Sequence, residues 1–145
     1  MKSTTLCFAI VDGKVLLAMK KRGMGVGKWN GPGGKLESGE TEEQACRREV
    51  LEEVGVELGA LEHRGWIEFV YRAKPEWDNR CAIFVARGVI GELVESEEML
   101  PRWFEIGSIP LDEMWEDDRI WLPGILLGES VKRRFVFDGE GKLIR

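Results

Sequence analysis

The chain has 145 residues, 43% of them hydrophobic, which is enough for one compact core without a disulfide framework or a structural metal. A net charge of −5, from 21 Lys and Arg against 26 Asp and Glu, disfavours non-specific binding to duplex nucleic acid, which needs a basic face, and leaves room for a phosphate-bearing substrate at a local positive patch or a cation. No apolar run reaches the roughly 18–20 residues of a membrane span, and the three cysteines show no CxxC spacing, which excludes a membrane anchor and a zinc or disulfide scaffold. The expectation is a single cytoplasmic domain over residues 1–145, monomeric, unprocessed, with no membrane or nucleic-acid partner.

In chain order, Thr4 to Val11 and Val15 to Met19 read as two strands joined at Asp12–Gly13, a type I′ hairpin signal. Lys20 to Gly39 holds seven glycines among twenty residues, interleaved with Lys20, Lys21, Arg22, Lys28 and Lys35, and reads as loop. Thr41 and Gln44 form a capping box, Ala45, Val50, Leu51 and Val54 an apolar stripe, and Gly55 a stop, so a helix is predicted from Glu42 to Val54. Strands follow at Gly65–Ala73 and Arg80–Val89 around a turn at Pro75–Asn79. A loop carrying Glu95, Glu97 and Glu98 then leads to a short strand, Trp103–Glu105. A second helix is predicted from Asp112 to Leu127, interrupted or tightened near Pro123–Gly124, and a hairpin of Arg133–Phe137 with Lys142–Ile144 ends the chain. The order implies an α/β fold in which a mixed sheet carries a helix on each face.

Glu49, Glu52 and Glu53 fall at i, i+3 and i+4, so three carboxylates share one helix face at a cost of about 0.2–0.5 kcal/mol per like-charged pair. Arg48 can pair with Glu52 at i+4. Upstream lies Gly31–Pro32–Gly33–Gly34–Lys35, where the glycines let backbone approach a ligand. Hard carboxylate oxygens beside such a loop suit Mg²⁺, which takes one or two protein carboxylates and completes its shell with water and substrate phosphate.

These residues carry a resemblance. Gly34-x5-Glu40-x7-Arg48-Glu49-Val50-x-Glu52-Glu53-x-Gly55-Val56 resembles the Nudix box at every fixed position. The resemblance implies the Nudix fold, a mixed β-sheet sandwiched between helices, and Mg²⁺-dependent hydrolysis of a nucleoside diphosphate linked to another group, with Mn²⁺ as an alternative ion. It implies that Glu49, Glu52, Glu53 and the Gly33 carbonyl bind metal, with Glu52 and Glu53 catalytic, and that Arg48 and Glu40 brace loop against helix.

The flanks narrow the substrate. Lys20–Gly23, Lys28–Gly31, Glu95–Met99 and Met114–Trp121 are similar to the MutT-like Nudix hydrolases that remove oxidised purine nucleoside triphosphates. Carried over position by position, this makes Trp115 the stacking platform for the purine, Asn30, Asp117 and Asp118 the readers of its edge, and Glu98 a further catalytic and metal-binding carboxylate. Lys20 would face base or phosphates, Phe69 and Met99 would wall the pocket, and Thr5 and Leu6 would lie beneath. Met24 stands near the base where the family has an aromatic, Pro32 replaces another, and Trp77–Asp78–Asn79 differs in length. The reading is hydrolysis of triphosphates such as 8-oxo-dGTP and 2-hydroxy-dATP to monophosphate and pyrophosphate. The alternatives are a broader Nudix hydrolase of other modified nucleotides or dinucleoside polyphosphates, or a non-catalytic nucleotide sensor. His63, the one histidine, is expected to be an ordinary strand or surface residue.

Overall fold

The structure, a computed structural model, describes residues 1–145. Strand β1 (Lys2–Val11) turns at Asp12–Gly13, with φ of 50° and 77°, into β2 (Lys14–Lys20). The two strands pair only at Ile10–Val15 and Val11–Lys14 and then diverge. The glycine-rich loop occupies the edge of β1 left free: Thr5 N–H donates to the Gly34 carbonyl at 2.8 Å, Cys7 N–H to Pro32 at 2.8 Å, and Leu36 N–H to Ser3 at 3.1 Å. On β2 the freed edge takes a two-residue strand, β3 (Trp29–Asn30).

After helix α1 (Glu42–Val54) come β4 (Glu57–Tyr71), β5 (Asn79–Ile90) and β6 (Met99–Glu105), then helix α2 (Asp118–Leu126) and β7 (Val131–Phe137). All seven strands form one mixed sheet in which β5 runs parallel to β1, β4 lies antiparallel to β5, and β7 runs parallel to β4 at one edge. β6 lines the outer edge of β2. Alternate residues of each central strand face opposite layers. Cys7, Ala9, Ala18, Ala82 and Ala86 face α1 with its Cys46, Val50 and Val54, whereas Phe8, Ile67, Ile83 and Phe135 face α2 with Trp121, Leu122 and Ile125. Leu16 and Phe84 join the small residues of the α1 layer, while the α2 layer is the richer in aromatic rings. The three cysteines are free and buried, and no helix is long and apolar enough to cross a membrane.

The fold class and the ends of α1 match the sequence reading, including the Thr41–Gln44 capping box and Gly55 at φ 81°. Four elements differ. β4 begins eight residues before the predicted Gly65, because Gly59, Glu62, His63 and Arg64 interrupt the apolar pattern. The glycines there are steric necessities, since a Cβ would stand 2.2 Å from the Arg87 carbonyl oxygen at Gly59 and 1.7 Å from that of Val131 at Gly65. β6 begins at Met99, not Trp103, and accepts Pro101 because it is an edge strand. β3 lies inside the stretch read wholly as loop.

The second helix starts at Asp118 rather than Asp112. A 3₁₀ turn at Leu111–Glu113 precedes it and Met114 is extended, which buries Met114 in the core and leaves Trp115 half-buried at that core's edge, lining the cleft described below. Pro123 sits inside the helix without interrupting it, and of the two expectations it is the tightening that holds, with Leu127 N–H donating to Gly124 and Gly128 N–H to Ile125, both at 3.1 Å. The C-terminal hairpin closes through a Phe137–Leu143 bridge.

Candidate active site

The divergence of β1 from β2 opens a cleft whose floor is Thr4, Thr5 and Leu6 and whose walls come from the glycine loop, α1, β4, β5 and the Trp115–Asp118 segment. At one end stands the carboxylate helix. Arg48 fixes the loop to it with two hydrogen bonds to Glu40, Nε–Oε2 at 2.6 Å and Nη2–Oε1 at 2.9 Å, and a third to the Lys35 carbonyl at 3.0 Å. That guanidinium holds Glu40 down to about 2. Both residues brace the loop, as the resemblance implied. Gly33 and Gly34 have no room for a side chain: a Cβ would stand 2.0 Å from the Thr5 carbonyl oxygen at Gly33 and 2.4 Å from Cδ of Glu49 at Gly34. The loop reaches helix and strand together only because those Cβ atoms are missing.

Glu53 projects from α1 into the cleft, where its Oε2 accepts from Gly33 N–H at 3.3 Å. Burial, with the negative charges of Glu49 and Glu52 beside it, raises its pKa from 4.5 to about 7, against the pull of that N–H and of Lys20. Glu49 and Glu52 both receive Arg48 Nη1, at 2.9 and 3.3 Å. The three carboxylates do not converge on one point in this structure, because Arg48 draws two of them and Gly33 the third. Their chemistry nevertheless fits Mg²⁺. The donors are hard oxygens, a cation would offset both the burial of Glu53 and the negative charges of Glu49 and Glu52 beside it, and the missing Cβ at Gly34 is what lets the Glu49 carboxylate lie against the loop.

At the other end the cleft is aromatic. Trp115 stands edge-on to Phe137, centroids 5.7 Å apart, and Lys28 Nζ lies 5.5 Å from its ring. Asp117 and Asp118, read from sequence as an acidic pair beside it, are each only 2% exposed. Asp117 Oδ2 accepts from Trp121 Nε1 at 2.7 Å, whereas Asp118 Oδ2 is the one buried side-chain oxygen or nitrogen with no hydrogen-bond partner. Burial raises both carboxyls. Asp118 rises further because Asp117 lies next to it, while the indole N–H favours the charged form of Asp117. A proton is thus favoured more strongly on Asp118 than on Asp117, which would set a donor and an acceptor at one wall.

The cleft brings together Thr5, Leu6, Lys20, Met24, Asn30, Gly33, Glu53, Phe69, Met99, Trp115, Asp117 and Asp118. Glu49 and Glu52 flank it on α1. Glu98 is not in it: its side chain is 68% exposed and pairs with Arg22 at 3.0 Å, because the turn before β6 points it outward. His63 lies in β4, packed on Trp66 and 3.6 Å from Glu42, away from the cleft. Tyr71, Phe137 and Lys28 line the cleft and were not foreseen. For Tyr71 a signal existed, since period-2 alternation puts it on the same face of β4 as Phe69. Phe137 has no such signal, because its place follows from the pairing of Tyr71 with Phe137 across β4 and β7.

Comparison with known proteins agrees with this geometry. A family model, the NUDIX domain, matches residues 2–125. The chain is 45% identical over 143 residues to an oxidized purine nucleoside triphosphate hydrolase of Danio rerio, covering 99% of this chain and 91% of that protein. It is 41% identical over 140 residues to the protein of the same name from Mus musculus, covering 97% and 89%. Among solved structures, a MutT protein from Bacillus halodurans superposes with a TM-score of 0.87 at 25% identity, covering 100% of this chain and 95% of that one. With its carboxylate helix, its braced glycine loop and this match over most of its length, the chain belongs to the Nudix hydrolase family.

Proposed function

We propose that the protein hydrolyses oxidised purine nucleoside triphosphates, such as 8-oxo-dGTP and 2-hydroxy-dATP, to the monophosphate and pyrophosphate, and so clears them from the nucleotide pool. The observation that carries this reading is the buried Asp117–Asp118 pair with its unpartnered Asp118 oxygen, set beside Trp115 in the cleft that also receives Glu53. A buried polar atom without a partner is costly unless a ligand satisfies it. Trp115 offers a purine a stacking face worth about 1–3 kcal/mol per base. An 8-oxo-guanine presents N7–H where guanine presents an acceptor, and ionised Asp117 can receive it while neutral Asp118 donates. The names of the fish and mouse relatives support the same substrate class.

At the phosphate end Glu49, Glu52, Glu53 and the Gly33 carbonyl would hold Mg²⁺, with Mn²⁺ as an alternative. The ion supplies charge neutralisation for phosphates and a lowered pKa for water. Lys20, which lines the cleft and acts electrostatically on Glu53, adds positive charge for the polyphosphate. Glu53, with a pKa near neutrality, suits acceptance of a proton from the water that attacks phosphorus in line as the bond to pyrophosphate breaks. Glu98 is assigned a supporting carboxylate role that requires it to leave Arg22 when substrate binds. Release of pyrophosphate across a panel of oxidised and unmodified nucleotides, with and without Mg²⁺, tests the reading. Preference for the oxidised purine triphosphates is expected. Equal kcat/KM for 8-oxo-dGTP and dGTP would reject it, and turnover confined to dinucleoside polyphosphates would replace it.

A further inference from the structure

Tyr71 is the only tyrosine in the chain and ends β4 in the wall of the cleft. Its ring is held from three sides. Phe137 stacks on it at 5.2 Å and 14°, and Trp77 and Trp115 meet it edge-on at 5.7 Å and 6.5 Å. The residue is 9% exposed, and its backbone N–H donates to Asp78 Oδ1 at 2.8 Å, yet its hydroxyl makes no hydrogen bond within the chain. A phenol so placed exposes one donor and one acceptor to the cleft, in an orientation the aromatic clamp prevents it from leaving. Burial and the nearby Asp117 and Asp118 raise its pKa, so it stays protonated and able to donate. The aromatic end of the cleft therefore holds the buried, unpartnered Asp118 Oδ2 and a Tyr71 hydroxyl to which no group of the chain bonds.

We infer that Tyr71 is a specificity-determining residue whose hydroxyl donates a hydrogen bond to an exocyclic oxygen of the bound purine, complementing the ring nitrogens read by the aspartates. The inference rests on the purine reading above. It assigns to this chain a selectivity for purines that carry oxygen on the edge facing β4, beyond what stacking on Trp115 provides. A site built to bond a substrate oxygen discriminates against the analogue that lacks it, because the site's own polar group is then left unpaired.

The test is Tyr71→Phe, which keeps the ring and its packing. For 8-oxo-dGTP and 2-hydroxy-dATP, KM is expected to rise about three- to tenfold with kcat within about twofold, and for dATP, which has no exocyclic oxygen, KM should hardly change. Thermal melting should be unaltered. A second readout exploits the single tyrosine: in protein labelled with 3-fluorotyrosine, the lone ¹⁹F signal should shift more on titration with 8-oxo-dGMP than with dAMP. An unchanged KM for every purine triphosphate that the wild type cleaves, or a fall in kcat with KM constant, would overturn the inference, as would a ¹⁹F signal that responds equally to both monophosphates. If the wild type itself fails to prefer oxidised purines, the substrate reading falls, and Tyr71 is then judged by the KM of Tyr71→Phe on whichever purine triphosphate is turned over.

Discussion

The two ends of the cleft are built on different plans. The carboxylate end comes almost wholly from one continuous stretch, Gly33 to Glu53, in which Arg48 ties Glu40 and the Lys35 carbonyl to α1. Beneath it the sheet presents Cys7, Ala9, Ala18, Ala82 and Ala86, small side chains that seat the helix close. The aromatic end is assembled from separate elements: Phe69 and Tyr71 from β4, Phe137 from β7, Trp115 and the aspartates from the approach to α2, Asn30 from β3. Phosphate chemistry here depends on a local motif, and base recognition on long-range packing. Change at one end should therefore leave the other largely intact, and the following experiments are ordered by the effect each should have on that separation.

Glu53→Gln should cause the largest loss, on the order of 10²–10⁴ in kcat, in a protein that still folds and still discriminates among bases in equilibrium binding. Steady-state turnover together with monophosphate binding checks it, and near-normal turnover would remove Glu53 from the chemistry. Asp117→Asn should lower kcat/KM for 8-oxo-dGTP by roughly 10- to 100-fold, because the Trp121 indole N–H would keep the amide oxygen and leave the amide NH2 facing N7–H, an unmatched buried polar contact that costs about 1–3 kcal/mol. Parallel assays on dGTP would reveal whether the loss is selective.

Gly33→Ala tests the loop itself. Its Cβ would meet the Thr5 carbonyl oxygen at 2.0 Å, so β1 and the loop must part, at a cost of about 1–3 kcal/mol measurable by denaturant unfolding. Wild-type stability in that variant would mean that the close approach of loop and strand is not required.

A further effect concerns pH. Glu53 titrates near 7 when folded and near 4.5 when unfolded, so the unfolded chain releases its proton first and stability falls as pH rises from about 4.5 to 7. In metal-free protein this amounts to at most about 3 kcal/mol. Glu53→Gln should therefore be more stable than wild type at pH 8 and nearly equal to it at pH 4, by thermal melts in chelator. A difference that grew towards low pH would contradict the sign.

What was legible in the sequence follows the same division. The Thr41–Gln44 cap, the Gly55 stop, the i, i+3, i+4 carboxylates and the Arg48–Glu40 brace are local in sequence, and the structure holds them as read. Trp115, Asn30 and Phe69 were reached through resemblance, and all line the cleft. The burial of Asp117 and Asp118 was half legible: a vicinal acidic pair reads equally well as an exposed helix start, and only the packing of α2 on the sheet decides. Tyr71 was legible from its period-2 place beyond Phe69 and was passed over, whereas Phe137 reaches the cleft through a parallel pairing between strands about sixty residues apart, which no local pattern encodes. The pairing of Glu98 with Arg22 outside the cleft was not legible, since the two residues lie 76 positions apart.

The separation of the two ends is tested most directly by pyrophosphate release from 8-oxo-dGTP and dGTP, measured side by side for the wild type and Asp117→Asn at saturating Mg²⁺. The expected result is that kcat/KM for 8-oxo-dGTP falls by about tenfold or more while that for dGTP stays within about threefold, so that the preference collapses with the chemistry intact. A parallel fall for both substrates would contradict it, because the aspartate would then serve turnover rather than recognition.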